Sequence, residues 1–181
     1  MGIAGTLTDA DIRAALARLG ALALRAGAEV RLVAVGGAVM VLKYRHREAT
    51  KDVDAIFDAP HPTAPIRRWA ALVATELSLP ADWLNDGAKG FVGESPEAGE
   101  EIFSAPGIRV MSALPEVLVA SKLAAFRDAV DRSDARRILQ DFTGSKLEAW
   151  RRIEPHVRPT AALTKACYAF EEIWEEIHGN D

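Results

Sequence analysis

Two aspartates, Asp52 and Asp54, stand one residue apart in a chain that carries a Gly36-Gly37 pair shortly before them and the cations Lys43, Arg45, Arg47 and Lys51 in between. A Gly-Gly turn lets backbone N–H groups approach a phosphate closely, and a helix behind it adds the positive end of its dipole. Two carboxylates on one strand face are hard oxygen ligands, suited to Mg²⁺ ions that bridge phosphate oxygens. The basic stretch suits a polyphosphate or a nucleic-acid end. Each part alone has a plainer meaning: a turn, a solvated strand face, a charged loop. The ordered set of strand, Gly-Gly, helix, basic loop and Asp-Val-Asp strand describes phosphoryl or nucleotidyl transfer.

The elements that must position these residues are readable from periodicity. Thr8 with Asp11 three residues on predicts a capped helix whose apolar stripe is Ile12, Ala15, Leu16, Leu19 and Ala23, ended by Gly27. Val30 to Val35 is a β-rich run that meets the glycines, and Ala38 to Lys43 carries helix formers, so this segment reads strand, turn, helix. A strand over 52–58 alternates its side chains, which puts Asp52, Asp54 and Ile56 on one face and Val53, Ala55 and Phe57 on the other. After the prolines at 60, 62 and 65 a helix over 66–77 buries Trp69, Leu72, Val73 and Leu77, with Thr63 as its cap. The stretch 81–91 is ambiguous, 93–99 reads as a loop, and 101–104 with 108–111 reads as a strand pair. Helices are expected over about 114–130, 133–142, 145–153 and 160–177. Strands first and helices last predict an α+β fold: a small mixed sheet flanked by helices over 1–112, and a helical lobe over 113–181 packed on it.

Composition narrows the function classes. The chain has 181 residues, 22 Lys plus Arg against 26 Asp plus Glu, and a formal net charge of −4. It therefore offers no whole-molecule attraction to nucleic acid, and a plain nucleic-acid-binding protein is disfavoured. Hydrophobic residues at 49% and charged residues at 27% are those of a globular chain. One cysteine, Cys167, forms no intramolecular disulfide and no zinc cluster, which points to a reducing compartment, with the cytoplasm as default. No apolar run approaches the roughly 20 residues a bilayer span needs, and no membrane partner is expected. His46, His61, His156 and His178 are scattered without metal-ligand or triad spacing. Trp69, Trp83, Trp150 and Trp174 read as core anchors, with Trp83 beside Asn85 at the border of a pocket. Glu171, Glu172, Glu175 and Glu176 form a solvent-facing acidic helix face that also suits a basic partner.

Val35-Gly36-Gly37 together with the segment from Arg47 to Ala55 resembles the nucleotidyltransferase superfamily of DNA polymerase beta type. The form is similar to that of small bacterial nucleotidyltransferases related to the AbiEii abortive-infection toxins. Pro80 to Asp86, containing Trp83-Leu84-Asn85-Asp86, is similar to a Trp-Leu-Asn-Asp segment of one branch of that group. Leu118 to Arg127 with Asp131 and Asp134 resembles its Lys-Leu-x-Ala-x-Arg helix and the following Asp-x-x-Asp. The resemblance covers roughly residues 30–142.

It implies a nucleotidyltransferase-type core and an enzyme that uses Mg²⁺ or Mn²⁺. The reaction moves a nucleoside monophosphate from a nucleoside triphosphate to an acceptor hydroxyl on RNA, such as a tRNA end, or on protein. Gly36 and Gly37, with Arg47, Thr50 and Lys51, would contact the nucleotide, Asp52 and Asp54 would hold the metal, and Lys122 would reach the triphosphate. Lys122 also reads as a snorkelling helix residue, and Arg127 with Asp131 and Asp134 as a structural ion-pair cluster. The superfamily adds a third carboxylate on a neighbouring strand, and the candidates here are Glu101, Asp86, Asp131 and Asp134. Without a third acid in place, the alternative is a degenerate, non-enzymatic binding or regulatory module. Either form would be a component of a toxin–antitoxin or abortive-infection pair with a cognate partner.

Overall fold

The computed structural model describes residues 5–179. In chain order its elements are β1 (Leu7–Thr8), α1 (Asp9–Arg25), β2 (Val30–Ala34), α2 (Gly36–Leu42), β3 (Ala49–Thr50), β4 (Val53–Ala59), α3 (Ala64–Leu77) and β5 (Leu84–Asn85). They continue with α4 (Lys89–Val92), β6 (Ala98–Ala105), β7 (Ile108–Ala113), α5 (Pro115–Ala125), α6 (Ala129–Leu139), α7 (Lys146–Ile153) and α8 (Leu163–His178). The fold is α+β, with a mixed five-stranded sheet and a small two-stranded one among the described residues. Two compact units result. One runs to Ala88 and takes in Ala98–Ala113, and the other holds Lys89–Glu97 and the chain from Leu114 onward. The segment 89–97 thus leaves the first unit, in which the sequence alone had placed it.

The larger sheet of the first unit has the order β5-β4-β2-β7-β6. Strand β2 runs antiparallel to β4 and parallel to β7, and β4 runs parallel to β5. Helix α1 forms for the reason the sequence predicts: Thr8 accepts from the Asp11 N–H at 3.3 Å and Asp11 accepts from the Thr8 N–H at 2.9 Å. Its stripe Ile12, Ala15, Leu16, Leu19 and Ala23 is buried. Gly20 lets the helix settle against the Ile108 side chain. Ile108 shares a sheet face with Val110 and Leu32, and through the β2–β4 register with Ala55 and Phe57. Helix α1 therefore covers the face opposite to the one that carries Asp54. Trp83, fully buried, donates its indole N–H to the Ala70 carbonyl at 2.9 Å, and its own carbonyl accepts from the Val53 N–H at 2.6 Å. This one residue ties α3 to the start of β4.

Several boundaries differ from the sequence reading. Strand β4 starts at Val53, so Asp52 is the last residue before it. Helix α3 begins at Ala64, and Thr63 stands at its N-cap without a side-chain capping bond, because its hydroxyl accepts from Arg67 at 3.0 Å. The ambiguous stretch 81–91 contains β5 and the start of α4. The pairing of β1 with β3 was not anticipated. The single helix expected over 114–130 breaks at Phe126, which turns left-handed at φ +31°, and Asp128 caps α6 by accepting from the N–H groups of Val130 and Asp131 at 3.0 Å each.

The second unit is helical. Leu118, Leu123, Ile138, Leu139, Phe142, Ile153, Phe170, Ile173 and Trp174 are buried. Phe170 lies between Trp150 and Trp174, with ring centroids 5.2 and 5.5 Å away. Trp83 and Trp174 are core anchors, while Trp69 and Trp150 are half-buried. Of the acidic face on α8, Glu172 and Glu176 both pair with Arg132, and Glu175 pairs with Lys146 at 3.1 Å. Most of that face is thus matched within its own unit. No helix among the described residues is long and apolar enough to cross a membrane.

Candidate functional site

Asp54 and Asn85 are register partners across the parallel β4–β5 pair, so their side chains share one face. The Asn85 amide donates from Nδ2 to Asp52 Oδ2 at 3.0 Å. Asp52, Asp54 and Asn85 therefore stand together on the side of the sheet away from α1, and both aspartates are partly exposed. Burial pushes the Asp52 carboxyl above the usual carboxylate range, against the Asn85 hydrogen bond and the Lys51 charge, while the Asp82 charge adds to the upward push.

The glycine turn borders the same place. The Val35 N–H donates to the Asp54 carbonyl at 2.9 Å. Gly36 follows in the left-handed region at φ +62°, and a Cβ there would stand 3.1 Å from Asp54 Oδ2. At Gly37 a Cβ would overlap the Thr50 hydroxyl and stand 3.0 Å from Thr50 Cβ and 3.4 Å from Arg47 Nη1. Both glycines are thus demanded by the chain's own packing: the first by backbone conformation and Asp54, the second by Thr50 and Arg47. Gly37→Ala is expected to destabilise the first unit by about 1–3 kcal/mol through overpacking. A urea titration followed by circular dichroism checks this, and an unchanged midpoint would mean that Thr50 swings aside freely.

The helix takes in the glycines themselves, Gly36–Leu42, where the sequence reading starts it at Ala38. With seven residues and no side-chain cap, α2 adds little dipole, so a phosphate seat here would rest on the turn itself. The basic stretch divides. Lys43 pairs with Glu100 at 3.4 Å and is largely covered, Arg45 points to solvent at φ +49°, and Arg47 and Lys51 remain beside the glycine–aspartate group. Thr50 is buried, because β3 pairs with β1.

The candidates for a third acid each face cations of their own unit. Glu101 lies on the edge strand β6, separated from β4 by β2 and β7, which is about 14 Å at ordinary strand spacing. There it faces Arg109 at 3.6 Å. Asp86, one residue past Asn85, turns to Arg67 at 2.6 Å. Asp131 and Asp134 belong to the second unit, where the Lys122 ammonium lies 3.1 Å from Asp131 Oδ1 and 2.8 Å from Asp134 Oδ2. Arg127 adds its Nε at 3.2 Å and its backbone N–H at 3.2 Å to Asp131 Oδ2. Burial would raise the Asp131 carboxyl, but the Lys122 charge and the hydrogen bonds from Arg127 and Lys122 outweigh it and hold it below its usual value. The ion-pair cluster expected around Arg127 is therefore centred on Lys122. For Lys122 to serve a triphosphate, its ammonium would have to leave two buried carboxylates.

Among the described residues no three His, Cys, Asp or Glu side chains are grouped to hold a metal ion. Two carboxylates do suit Mg²⁺, which keeps several waters and commonly takes one or two protein carboxylates plus substrate phosphates. The donor set therefore fits a cation that arrives with a phosphate ligand. Sequence reasoning missed Asn85 as part of the group, since only the parallel pairing of β4 with β5 brings it there. Comparison with family models, with curated proteins and with solved structures finds no match for the chain.

Proposed function

We propose that the first unit is a metal-dependent nucleotidyltransferase site. The observation that carries the reading is the juxtaposition of Asp52 and Asp54 with the Gly36-Gly37 turn on the sheet face that α1 leaves uncovered. Asp52 and Asp54 would hold a divalent cation, which when bound neutralises phosphate oxygens and orients them. The backbone at Gly36, which carries no Cβ beside Asp54, gives a ligand close access to that carboxylate. Arg47 and Lys51 supply positive charge for the outer phosphates. In the reaction an acceptor hydroxyl oxygen bonds to the α-phosphorus of a nucleoside triphosphate, the bond to the bridging oxygen breaks, and pyrophosphate and a proton leave. Such transfer relies on positioning and electrostatics rather than on covalent help from the protein.

Each α-labelled nucleoside triphosphate, offered in turn with Mg²⁺, total tRNA and lysate protein, tests this directly. Label is expected to move to RNA or to protein, which names the acceptor class. A second reading, a catalytically degenerate binding or regulatory module, is favoured by one observation: the position beside both aspartates is an amide, Asn85, rather than a carboxylate. Metal-dependent nucleotide binding by calorimetry without transfer to any acceptor would select it. On either reading a toxin–antitoxin or abortive-infection role, with a cognate partner, is proposed on the resemblance of the sequence alone.

A further inference from the structure

We propose that Asn85 is a positioning residue that makes cation binding at this site depend on the phosphates of the incoming ligand; the inference rests on the nucleotidyltransferase reading above. Residue 85 is the β5 position whose side chain lies beside both acids, in register with Asp54 and hydrogen-bonded to Asp52. Its amide oxygen is already engaged by the chain itself. Asn85 Oδ1 accepts from the Gly87 N–H at 2.9 Å, and this contact fixes the amide so that Nδ2 faces Asp52. Gly87 approaches closely enough that a Cβ there would stand 3.1 Å from Asn85 Oδ1.

Two consequences follow from that geometry. The amide holds Asp52 by one oxygen and leaves the other for a cation, so the carboxylate is oriented before any ligand arrives. It also keeps the local charge at two carboxylates where Asp or Glu at position 85 would give three. A hard cation held by two carboxylates keeps open positions that water fills weakly, and a polyphosphate chelates several of them at once. The site thus takes the metal–phosphate complex in preference to the metal alone.

Mn²⁺ and the preformed Mn²⁺–tripolyphosphate complex are the probes, titrated by calorimetry into the full chain. Wild type is expected to bind the complex at least about tenfold more tightly than Mn²⁺ alone. Asn85→Asp is expected to raise affinity for Mn²⁺ alone by about tenfold or more and to narrow the preference for the complex. Asp52→Asn added to Asn85→Asp should return Mn²⁺ affinity toward wild type, which a general change in stability would not do. A folded Asn85→Asp protein with wild-type affinity for Mn²⁺ overturns the proposal. So does a wild type that binds Mn²⁺ and its complex equally well. If Asn85→Asp fails to fold by circular dichroism, Asn85→Ala carries the test: its affinity for the complex should fall severalfold, and an unchanged affinity overturns the proposal. The two readings fail separately. Complex preference abolished by Asn85→Asp, with no nucleotide transferred to any acceptor, leaves the role of Asn85 standing and removes the enzyme. Transfer by wild type with no effect of Asn85→Asp on Mn²⁺ does the reverse.

Discussion

Replacing Asp52 and Asp54 together by asparagine is expected to abolish label transfer while leaving the protein as stable as before or slightly more so. On the proposed reading these charges would hold the metal, and their loss would remove several kcal/mol of transition-state stabilisation, a rate loss on the order of 10³-fold or more. The stability half of the expectation comes from Asp52. Its folded carboxyl is raised above its unfolded value by burial, so its contribution is present at low pH and is lost as pH rises through the folded value. At neutral pH the ionised Asp52 therefore works against folding, and asparagine removes that penalty while still accepting from Asn85. Rates measured beside a urea titration separate this pattern from simple unfolding. A double variant that still transfers label would remove Asp52 and Asp54 from the chemistry.

Lys122→Met is expected to act in the opposite sense, on stability. The Lys122 side chain is 12% exposed, and those of Asp131 and Asp134 are 4% and 1% exposed. Methionine keeps the apolar stem and removes the cation that two buried carboxylates share, and breaking such a buried ion pair costs about 3–5 kcal/mol. The pH dependence carries a sign. In wild type Asp131 is depressed, so its stabilisation is present above the unfolded value of about 3.9 and is lost as pH falls through the folded value. In the variant the Lys122 charge that holds Asp131 down is gone, and burial acts against its ionised form with less to oppose it. The gap between the two proteins is thus widest at neutral pH and narrows as the solution is acidified. Urea titrations across that range, with amide exchange followed over residues 115–139, locate the effect. A variant as stable as wild type at neutral pH would show that Lys122 is free to serve elsewhere.

Local signals in the sequence were legible where the structure is local. The Thr8–Asp11 cap, the α1 stripe and the change from strand to helix at Gly36-Gly37 are all short-range, and all are present; Asp52 stands just ahead of β4 and joins Asp54 through its bond to Asn85, not through strand alternation. What could not be read is pairing between distant segments. Nothing in Leu84-Asn85 says that it lies parallel to Val53-Asp54, yet this pairing brings an amide, rather than Glu101 or Asp86, beside the two acids. The helix break at Phe126 was missed for a different reason: the apolar period continues through it, and only the cap geometry of Asp128 marks a new start. For Lys122 the sequence offers a reach to a triphosphate or a snorkelling helix residue, and the chain instead supplies two anions of its own, Asp131 and Asp134.

The two residues of β1 belong to two neighbourhoods at once. Thr8 closes the first turn of α1, while Leu7 pairs with Thr50, the residue whose hydroxyl fills the space over Gly37. In a scan that scores every substitution for loss of function, changes at Leu7 and Thr8 would register alongside those at Thr50 and Gly37, to which they are joined by strand pairing. Such hits would mark the foundation of the glycine turn rather than the chemistry above it.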